Sequence, residues 1–458
     1  MSPFRSILIV ALSGVLMGFD GSLFTGVVGF VRTEFSLNEF EVGWAVTSLA
    51  VAATISIFVS GPLADRFGRR RMLRVATCVF IAAAMVAALS ENFATLIVAR
   101  FLSGFGVGAV LVTAPMYIAE ISPSAWRGRM VAFNQLFIVL GTFAAFCSNY
   151  LIVWLGGQEF ASAERMHLED WNWRWMLGVG ALPAIPYLFA LFFVPESPRW
   201  LAMHGRMPTA RRVLERLIGS ERADHELDAV IASLEQEAKR DKPRLREIFD
   251  PSMRRVLVIG LVVGILQQAS GIGSVLSYAV AIFERAGAGA NASFLQTVLV
   301  GATNALFTLL AMALIDRAGR RPLLMYGSFG IGASMLLASY GFRLDGASHG
   351  PALVLAGLLG FIASFAFSIG PGMWVLFSEI FPNRIRGPAI SCVGVVNSFV
   401  CVVVQFVFPW EMAQLGAART FFIYGAFALV GVVLLAKLVP ETRGRSLEEL
   451  EQVLVKRA

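Results

Sequence analysis

The chain contains 458 residues, of which 57% are apolar and 15% are charged, and its net charge is +7. This composition indicates a polytopic membrane protein rather than a soluble domain. The basic excess lies between apolar runs, where membrane topology accounts for it, so we expect no nucleic-acid partner. All four histidines lie between the runs and no run pairs a nucleophile with a base, so we expect no enzyme. The four cysteines lack metal-ligand or disulfide spacing, and we expect no metal and no other cofactor.

Twelve apolar runs follow one another along the chain, each long enough, at about 20 residues, to cross a hydrocarbon core of about 30 Å. Their centres lie near residues 18, 50, 81, 107, 141, 183, 266, 303, 332, 363, 398 and 428. The pattern predicts an all-α membrane protein with twelve transmembrane helices. The N-terminal segment has no A-x-A-like cleavage site, so we interpret the first run as a helix and not as a removed signal.

The first run, "ILIVALSGVLMGFDGSLFTGVVGFV", carries a carboxylate, Asp20, near its centre. An ionised side chain at this depth costs about 2.5–3.5 kcal/mol on insertion scales. Arg100, which opens the fourth run, is one of few basic residues within a run and is the candidate partner of Asp20. Burial disfavours the ionised carboxylate and a nearby guanidinium favours it, so such a group can change protonation when its surroundings change. A static ion pair that fixes two helices is the alternative interpretation.

Arginine-rich segments recur on one side of the membrane if the runs alternate in direction. They lie at 61–74, 127–129, 196–255, 316–321 and 384–386. The segments on the opposite side are poorer in basic residues. By the positive-inside rule we expect both termini in the cytoplasm.

Three pairs of motifs occur in the same order at a nearly constant offset. They are "GPLADRFGRRRML" (61–73) with "ALIDRAGRRPLL" (313–324), "AEISPSAWRGR" (119–129) with "SEIFPNRIRGP" (378–388), and "VPESPRW" (194–200) with "VPETRGR" (439–445). This repetition indicates a duplication, an architecture found in one large class of secondary transporters with a site near the membrane midplane. The predicted division is an N-terminal six-helix half (1–195), a short cytoplasmic helical linker (196–250), a C-terminal six-helix half (251–440) and a cytoplasmic tail (441–458).

The repeated motifs place acids and bases together at helix ends on the predicted cytoplasmic face. The residues are Asp65 with Arg69, Glu120 with Arg127, Asp316 with Arg320, Glu379 with Arg386, and also Glu196 and Glu441. Exposed ion pairs stabilise little individually, but a network that forms in one state and breaks in another can bias a conformational equilibrium. We therefore predict a cytoplasmic gate; topology signals and solvated helix caps are the alternative.

Eight motifs, spread from end to end, resemble those of the sugar porters of the major facilitator superfamily. They are "GFDGSLFTG" (18–26), "GPLADRFGRR" (61–70), "RFLSGFGVGAVLVTAPMYIAEISPSAWRG" (100–128), "VPESPRWL" (194–201), "QQASGIG" (267–273), "DRAGRR" (316–321), "GPGMWVLFSEIFPNRIRG" (370–387) and "VPETRGRSLEEL" (439–450). The family includes bacterial proton–xylose symporters and animal facilitative glucose transporters. The resemblance implies the major facilitator fold.

The resemblance also implies roles for particular residues. In proton-using relatives the positions of Asp20 and Arg100 form an Asp–Arg pair, whereas facilitators commonly have Asn at the first, so we predict Asp20 as proton carrier and Arg100 as its switchable partner. The sugar-contacting positions match Gln135, Gln267, Gln268, Asn304, Trp374 and Asn397. Amides both donate and accept hydrogen bonds and an aromatic ring covers C–H surface, as a polyhydroxylated ligand requires. An amide within a membrane helix can also simply bond a neighbouring helix.

Three positions depart from the family pattern. Gly273 and Ser398 stand where the family usually has Asn and Trp, and Met17 stands where an aromatic residue is frequent. We therefore expect a roomier or differently polar pocket.

The sequence as a whole predicts a proton-coupled symporter that takes up a monosaccharide or related polyol by alternating access. A facilitative uniporter and a transporter of a non-sugar organic solute are the alternatives, and the short tail disfavours a sugar sensor. We expect the sugar or polyol, protons and the lipid bilayer as partners, a monomer, and a multi-pass location in a bacterial cell (inner) membrane.

Overall fold

The structure is a computed structural model and describes residues 3–122, 127–158, 167–168, 170–239, 245–344, 349–382, 385–443 and 449–450. Regular structure in these ranges is helical throughout. Up to residue 239 the helices are α1 (Pro3–Ala11), α2 (Ser13–Glu34), α3 (Glu39–Phe67), α4 (Arg69–Ala88), α5 (Phe93–Ile121), α6 (Arg127–Gly156), α7 (Asn172–Gly178), α8 (Ala181–Ala190), α9 (Pro198–Met203), α10 (Met207–Ile218) and α11 (Ser220–Lys239).

Two short 3₁₀ turns, Leu245–Phe249 and Pro251–Met253, lead into the remaining helices. These are α12 (Arg254–Ala269), α13 (Ile272–Ser277), α14 (Ala279–Arg285), α15 (Ala290–Ala318), α16 (Arg320–Arg343), α17 (Gly350–Phe367), α18 (Ile369–Ile380), α19 (Arg386–Gln414) and α20 (Ala417–Leu438). Eleven helical segments of the described part are long and apolar enough to cross a membrane. The predicted class, an all-α membrane protein, is confirmed.

The predicted helix near residue 183 is not among these eleven segments of the described chain, and it is divided into α7 and α8. Around the division the amides of Gly180 and Leu182 bond to carbonyls three residues back, at 3.1 and 2.9 Å. Pro183 has no N–H to donate to the carbonyl of Val179, so one helical hydrogen bond is lost at the start of α8. The sequence predicted the apolar run but not this interruption.

The chain forms two compact units, one of Met1–Val27 with Ser48–Asp241 and one of Val28–Thr47 with Lys242–Ala458. Helices α9 to α11 of the predicted linker therefore belong to the first unit. The connection between α2 and α3 belongs to the second. The predicted division at residues 195, 250 and 440 stays a prediction.

In the first unit, small residues allow α2 to approach α6 closely. Gly18 lies against the carbonyl of Ile138, where any Cβ would collide with backbone, and Gly141 lies equally close to the backbone of Val15. Close backbone approach through small residues is a main source of helix association in membranes. This contact fixes the part of α2 that carries Asp20.

Helices α10 and α11 form an amphipathic pair outside the membrane-crossing segments. Ala210, Val213, Leu214 and Leu217 form the buried face of α10. On the exposed side, Arg211 bonds both carboxylate oxygens of Asp224, with Nε–Oδ1 at 2.6 Å and Nη2–Oδ2 at 3.1 Å.

In the second unit, two membrane-crossing segments are broken within their length. One breaks at Gly271 between α12 and α13, with φ +87°, within the sequence "SGIG" (270–273). The other breaks at Ser368, with φ −125° and ψ −84°, two residues before the sequence "GPG" (370–372). The break precedes Pro371 because that residue cannot donate to the carbonyl of Phe367.

Candidate functional site

The intramembrane carboxylate Asp20 lies in α2 and faces α5. Its Oδ1 accepts a hydrogen bond from the Ser103 hydroxyl at 3.1 Å. Its Oδ2 is buried and has no hydrogen-bond partner within the described part of the chain. A buried charged oxygen without a partner is energetically costly, and protonation removes that charge. This carboxylate is therefore able to hold a proton.

Arg100 is the predicted basic partner of Asp20. Its side chain lies on α5 with only 5% of the residue exposed, and its guanidinium stacks on the Phe24 ring at 4.2 Å from the centroid. It interacts electrostatically with Asp20. The structure thus brings these two predicted residues into one charged site within the first unit.

Sequence reasoning missed Ser103 and Phe24, although a signal was available. Phe24 follows Asp20 by four residues on α2, and Ser103 follows Arg100 by three on α5. Residues three or four apart share a helix face. Phe24 therefore lies on the same face of α2 as Asp20, and Ser103 lies on the same face of α5 as Arg100.

A second polar site, in the other unit, joins three of the predicted substrate amides. Asn397 on α19 donates from Nδ2 to the Gly264 carbonyl at 2.8 Å and to Oε1 of Gln267 at 2.9 Å. Gln268 donates from Nε2 to Oδ1 of Asn397 at 3.3 Å and to Oε1 of Gln267 at 3.5 Å. The last two bonds are long, so a ligand hydroxyl could replace them at small cost. These three side chains form the amide network.

The other three predicted substrate residues lie on α6, α15 and α18. Asn304 is half-buried on α15. Trp374 on α18 is half exposed and meets Phe377 edge-on, with centroids 6.0 Å apart. Gln135 is exposed on α6 in the first unit. Its neighbour Asn134 has a structural role, because it donates to the Ala11 carbonyl at 3.2 Å, where α1 and α2 separate.

The first predicted gate residues form an N-terminal charge cluster of Asp65, Arg69, Glu120 and Glu196. The Arg69 side chain is 3% exposed and binds Glu120 Oε1 and Asp65 Oδ1, each at 2.9 Å. Its Nε is also 3.0 Å from Glu120 Oε2, which makes that contact bidentate. Three helices, α3, α4 and α5, are linked through one guanidinium.

Glu196 closes the N-terminal charge cluster by capping α4. Its Oε1 accepts from the backbone amides of Arg69 and Arg70 at 3.0 and 3.1 Å. A carboxylate at this position satisfies free amides and complements the helix dipole. Gly68 before the cap has φ +96° and ψ 153°, a conformation adopted essentially only by glycine. The Trp200 indole donates to the Asp65 carbonyl at 2.7 Å, which attaches α9 to the cluster.

Arg320, Glu379 and Glu441 repeat this arrangement as a C-terminal charge cluster. The Arg320 guanidinium is 2.9 Å from Glu379, and Glu441 accepts from the Arg320 amide at 3.1 Å. Gly319 before this cap has φ +84° and ψ 152°. Thr442, which sequence reasoning missed, donates to the second oxygen of Glu379 at 2.6 Å.

The described partners differ from the predicted grouping of acids with bases at Glu120 and Glu379. Glu120 was grouped with Arg127, and its described partner is Arg69. Glu379 was grouped with Arg386 but binds Arg320, because α16 begins beside the end of α18. Arg386 instead donates from Nε to the Phe381 carbonyl at 3.2 Å. The side chains of Arg127 and Asp316 lie outside the described residues.

The family is identified by the whole chain. Residues 6–454 match the family model "Sugar (and other) transporter". The chain therefore belongs to this transporter family, which confirms the predicted family and excludes an enzyme.

Curated relatives are similar over nearly their full length. The arabinose-proton symporter of Bacillus subtilis (strain 168) is 35% identical over 449 residues, which cover 97% of this chain and 93% of the relative. The galactose-proton symporter of Escherichia coli (strain K12) is 35% identical over 453 residues, which cover 98% and 93%.

Solved structures of the xylose transporter XylE from E. coli have the same fold. Its inward open conformation superposes with a TM-score of 0.84 at 31% identity, covering 99% of this chain and 100% of that one. The proton:xylose symporter XylE bound to 6-bromo-6-deoxy-D-glucose gives a TM-score of 0.77 at 32% identity, covering 99% of both.

Proposed function

We propose that the protein is a proton-coupled symporter that takes up a monosaccharide or related polyol by alternating access. Family membership and the sugar–proton symport named for relatives of both B. subtilis and E. coli support this function. The proposed location is a bacterial inner membrane, with both termini in the cytoplasm and the protein acting as a monomer. The arginine-rich segments support this orientation.

The observation that carries the proposal is the arrangement around Asp20. One carboxylate oxygen is bonded by Ser103, and the other is buried without a partner among the described residues. A proton on the second oxygen would remove a charge from an apolar helix segment, and its loss would restore the attraction to Arg100. Asp20 is then the proton carrier. Arg100, which stacks on the Phe24 ring, is its switchable partner, bound when the carboxylate is ionised and released when it is protonated.

Proton entry in this scheme is favoured by both components of the proton gradient. A membrane potential of 100 mV contributes about 2.3 kcal/mol per elementary charge. One pH unit contributes about 1.4 kcal/mol, or a factor of ten in the sugar concentration ratio for one proton per sugar. Accumulation against a gradient is therefore the property that separates a symporter from a facilitator.

The proposed sugar ligands are Gln135, Gln267, Gln268, Asn304, Trp374 and Asn397. Support is strongest for the amide network, because its glutamine and asparagine groups offer donors and acceptors held in place by one another. The long bonds of Gln268, at 3.3 and 3.5 Å, are those that sugar hydroxyls would replace. Trp374 supplies an accessible ring face for the apolar side of a sugar.

The two charge clusters are the proposed cytoplasmic gate. Each links helix ends within its own unit through one buried or half-buried guanidinium. We propose that Asp65, Arg69, Glu120, Arg127, Glu196, Asp316, Arg320, Glu379, Arg386 and Glu441 stabilise one conformational state over another. Opposite charges at helix ends can do so only if their contacts differ between states.

The test is uptake into proteoliposomes with an imposed inward proton gradient of one pH unit. Labelled L-arabinose, D-xylose, D-galactose, D-glucose and myo-inositol are offered to the wild type, to Asp20→Asn and to Asp228→Asn, a matched change at an exposed site on α11. We expect the wild type and Asp228→Asn to accumulate at least one sugar severalfold. Asp20→Asn is expected only to equilibrate that sugar.

Each other outcome contradicts a specific part of the proposal. A wild type that only equilibrates the sugar is a facilitator with a static Asp20–Arg100 pair. If Asp20→Asn still accumulates the sugar, Asp20 is not the residue that couples transport to protons. Absence of uptake for every compound, with folded protein in the bilayer, would make the substrate a non-sugar solute.

A further inference from the structure

The space beside Gly273 is filled by a side chain from another helix. Gly273 lies on α13, two residues after the break at Gly271. A Cβ on Gly273 would be 2.5 Å from Nε2 of Gln405 and 3.0 Å from its Cδ. The Gln405 amide of α19 therefore stands where a side chain of residue 273 would begin.

The Gln405 amide is held on one side and weakly bonded on the other. Its Oε1 accepts from the Ser277 hydroxyl at 3.1 Å, and its Nε2 donates to Cys401 Sγ at 2.9 Å. Sulfur is a weak acceptor, so a hydroxyl oxygen would be a better partner for this donor. Gln405 is 8% exposed. Its amide is thus a positioned donor that lacks a strong acceptor.

Gln405 also shares a helix face with the amide network. Asn397, Cys401 and Gln405 are spaced four residues apart on α19, which places them along one stripe. Asn397 meets α12 at the Gly264 carbonyl, and Gln405 meets α13 through Ser277. The stripe therefore lies along the broken segment on both sides of the break at Gly271. The Asn397 amide lies at one end of the stripe and the Gln405 amide at the other.

We propose that Gln405 is a further substrate-binding residue, whose amide replaces the missing side chain of Gly273 and determines which hydroxyl pattern is accepted. This inference rests on the proposed function and concerns the same site. On binding, a ligand hydroxyl takes the Nε2 donor from Cys401. Eight residues of α19, or about 12 Å of helix, separate Asn397 from Gln405, so the ligand class is a polyhydroxylated molecule of which one hydroxyl reaches Gln405.

The experiment measures binding in detergent, so that proton coupling does not enter. The wild type's best substrate from the uptake panel is used as label. It is displaced by the unlabelled sugar and by its monodeoxy analogues, each lacking one hydroxyl. The proteins are the wild type, Gln405→Leu, and Gln414→Leu, the same change at an exposed position of α19.

For the wild type we expect one monodeoxy analogue to bind about five- to tenfold more weakly than the parent sugar because it loses the bond to Gln405. For Gln405→Leu that difference is expected to vanish, while the ratios for the other analogues stay as in the wild type. Gln414→Leu should behave like the wild type. Gly273→Asn is expected to lose binding, and Gly273→Asn with Gln405→Gly to regain it.

The results that overturn the inference differ from those that overturn the function. If Gln405→Leu binds sugar with every wild-type ratio intact, or weakens all analogues equally, Gln405 only holds α13 and the inference is wrong. A Gln405→Leu protein that does not fold is replaced by Gln405→Met, judged by the same ratios. If the wild type binds no sugar, the proposed function fails and this inference fails with it.

Discussion

The two charge clusters are built on the same plan but differ in depth. In both, a glutamate from a Val-Pro-Glu motif caps a helix whose first residue is an arginine, and that arginine binds a second glutamate. The Arg69 and Glu120 side chains are 3% and 8% exposed, whereas Arg320 and Glu379 are 13% and 21% exposed. The N-terminal cluster is also covered by a packed helix, α9, through Trp200.

The difference shows that one motif can serve two energetic roles. A buried pair is stabilising only while both partners remain, since removal of one leaves an unpaired buried charge. A more exposed pair can exchange its partner for water at little cost. We infer that the N-terminal charge cluster is the firmer of the two and that the C-terminal cluster opens more readily.

The largest expected difference comes from removing the arginine. Arg69→Gln should destabilise the protein by about 3–5 kcal/mol, because it leaves Glu120 buried without its cation. Arg320→Gln should cost about 1–3 kcal/mol, the usual range for a hydrogen bond to a charged group. Thermal unfolding in detergent measures both. Equal losses would remove the distinction between the clusters.

A second comparison uses the glycines before the two caps. Gly68→Ala forces a Cβ within 2.5 Å of Glu196 Oε2, whereas Gly319→Ala brings one to 3.0 Å from Glu441 Oε2. Both changes carry backbone strain of about 1–3 kcal/mol, so we expect a larger fall in unfolding temperature for Gly68→Ala.

Gly219→Ala is the matched control for this pair. Gly219 has φ +87° and its Cβ would meet nothing within 4 Å, so this variant measures backbone strain alone. If Gly68→Ala is no worse than Gly219→Ala, the carboxylate has moved aside and the cap is not rigid.

Thr442→Val sharpens the comparison from the C-terminal side. It removes the 2.6 Å bond to Glu379 with little change in shape, and we expect a loss of about 1–2 kcal/mol. In the folded variant, the N-terminal charge cluster should be unaffected. Hydrogen-exchange protection of the Arg69 and Arg70 amides should therefore equal that of the wild type. Thr33→Val, whose exposed hydroxyl bonds only within its helix, is the control. A loss of protection at Arg69 would mean that the clusters do not act independently.

The exposed pair of the linker helices gives the smallest effect. The hydrogen bond from Arg211 holds the pKa of Asp224 below its usual value. A lowered pKa stabilises the folded pair above the unfolded value, near 3.8, and this contribution is lost as pH falls through the folded pKa. Amide protection of α10 and α11, corrected for intrinsic exchange, should therefore fall slightly below pH 4. Asp224→Asn should show this lower protection already at neutral pH. If the protection of the variant and of the wild type depended on pH identically, the Arg211–Asp224 pair would not stabilise these helices.

Most of the fold could be predicted from the sequence because apolar length alone defines a membrane helix. The division of the run near 183 was missed, since periodicity does not register where a proline removes one hydrogen bond. The break at Ser368 lies two residues before "GPG" (370–372), because Pro371 removes the hydrogen bond to the carbonyl four residues earlier.

The candidate site was predictable where a residue is unusual for its surroundings. Asp20 and Arg100 stand out because charge is rare in an apolar run, and Gln267 and Gln268 because adjacent amides are. Contacts between distant segments could not be predicted, and the structure pairs Glu120 and Glu379 with arginines outside their own motifs. Gln405 was overlooked although it too is an amide in an apolar run, because its importance depends on the absence of a side chain at Gly273.

The capping of α4 by Glu196 has a consequence for synthesis of the chain. The amides of Arg69 and Arg70 find their acceptor 127 and 126 residues later in the sequence. Until the ribosome has added that segment, these two backbone amides at the start of α4 have to bond to water or to lipid phosphate. In the same way, the acceptor of the Arg320 amide, Glu441, follows 121 residues later in the sequence. The two Val-Pro-Glu motifs thus mark the points in synthesis at which the starts of α4 and α16 obtain their protein caps.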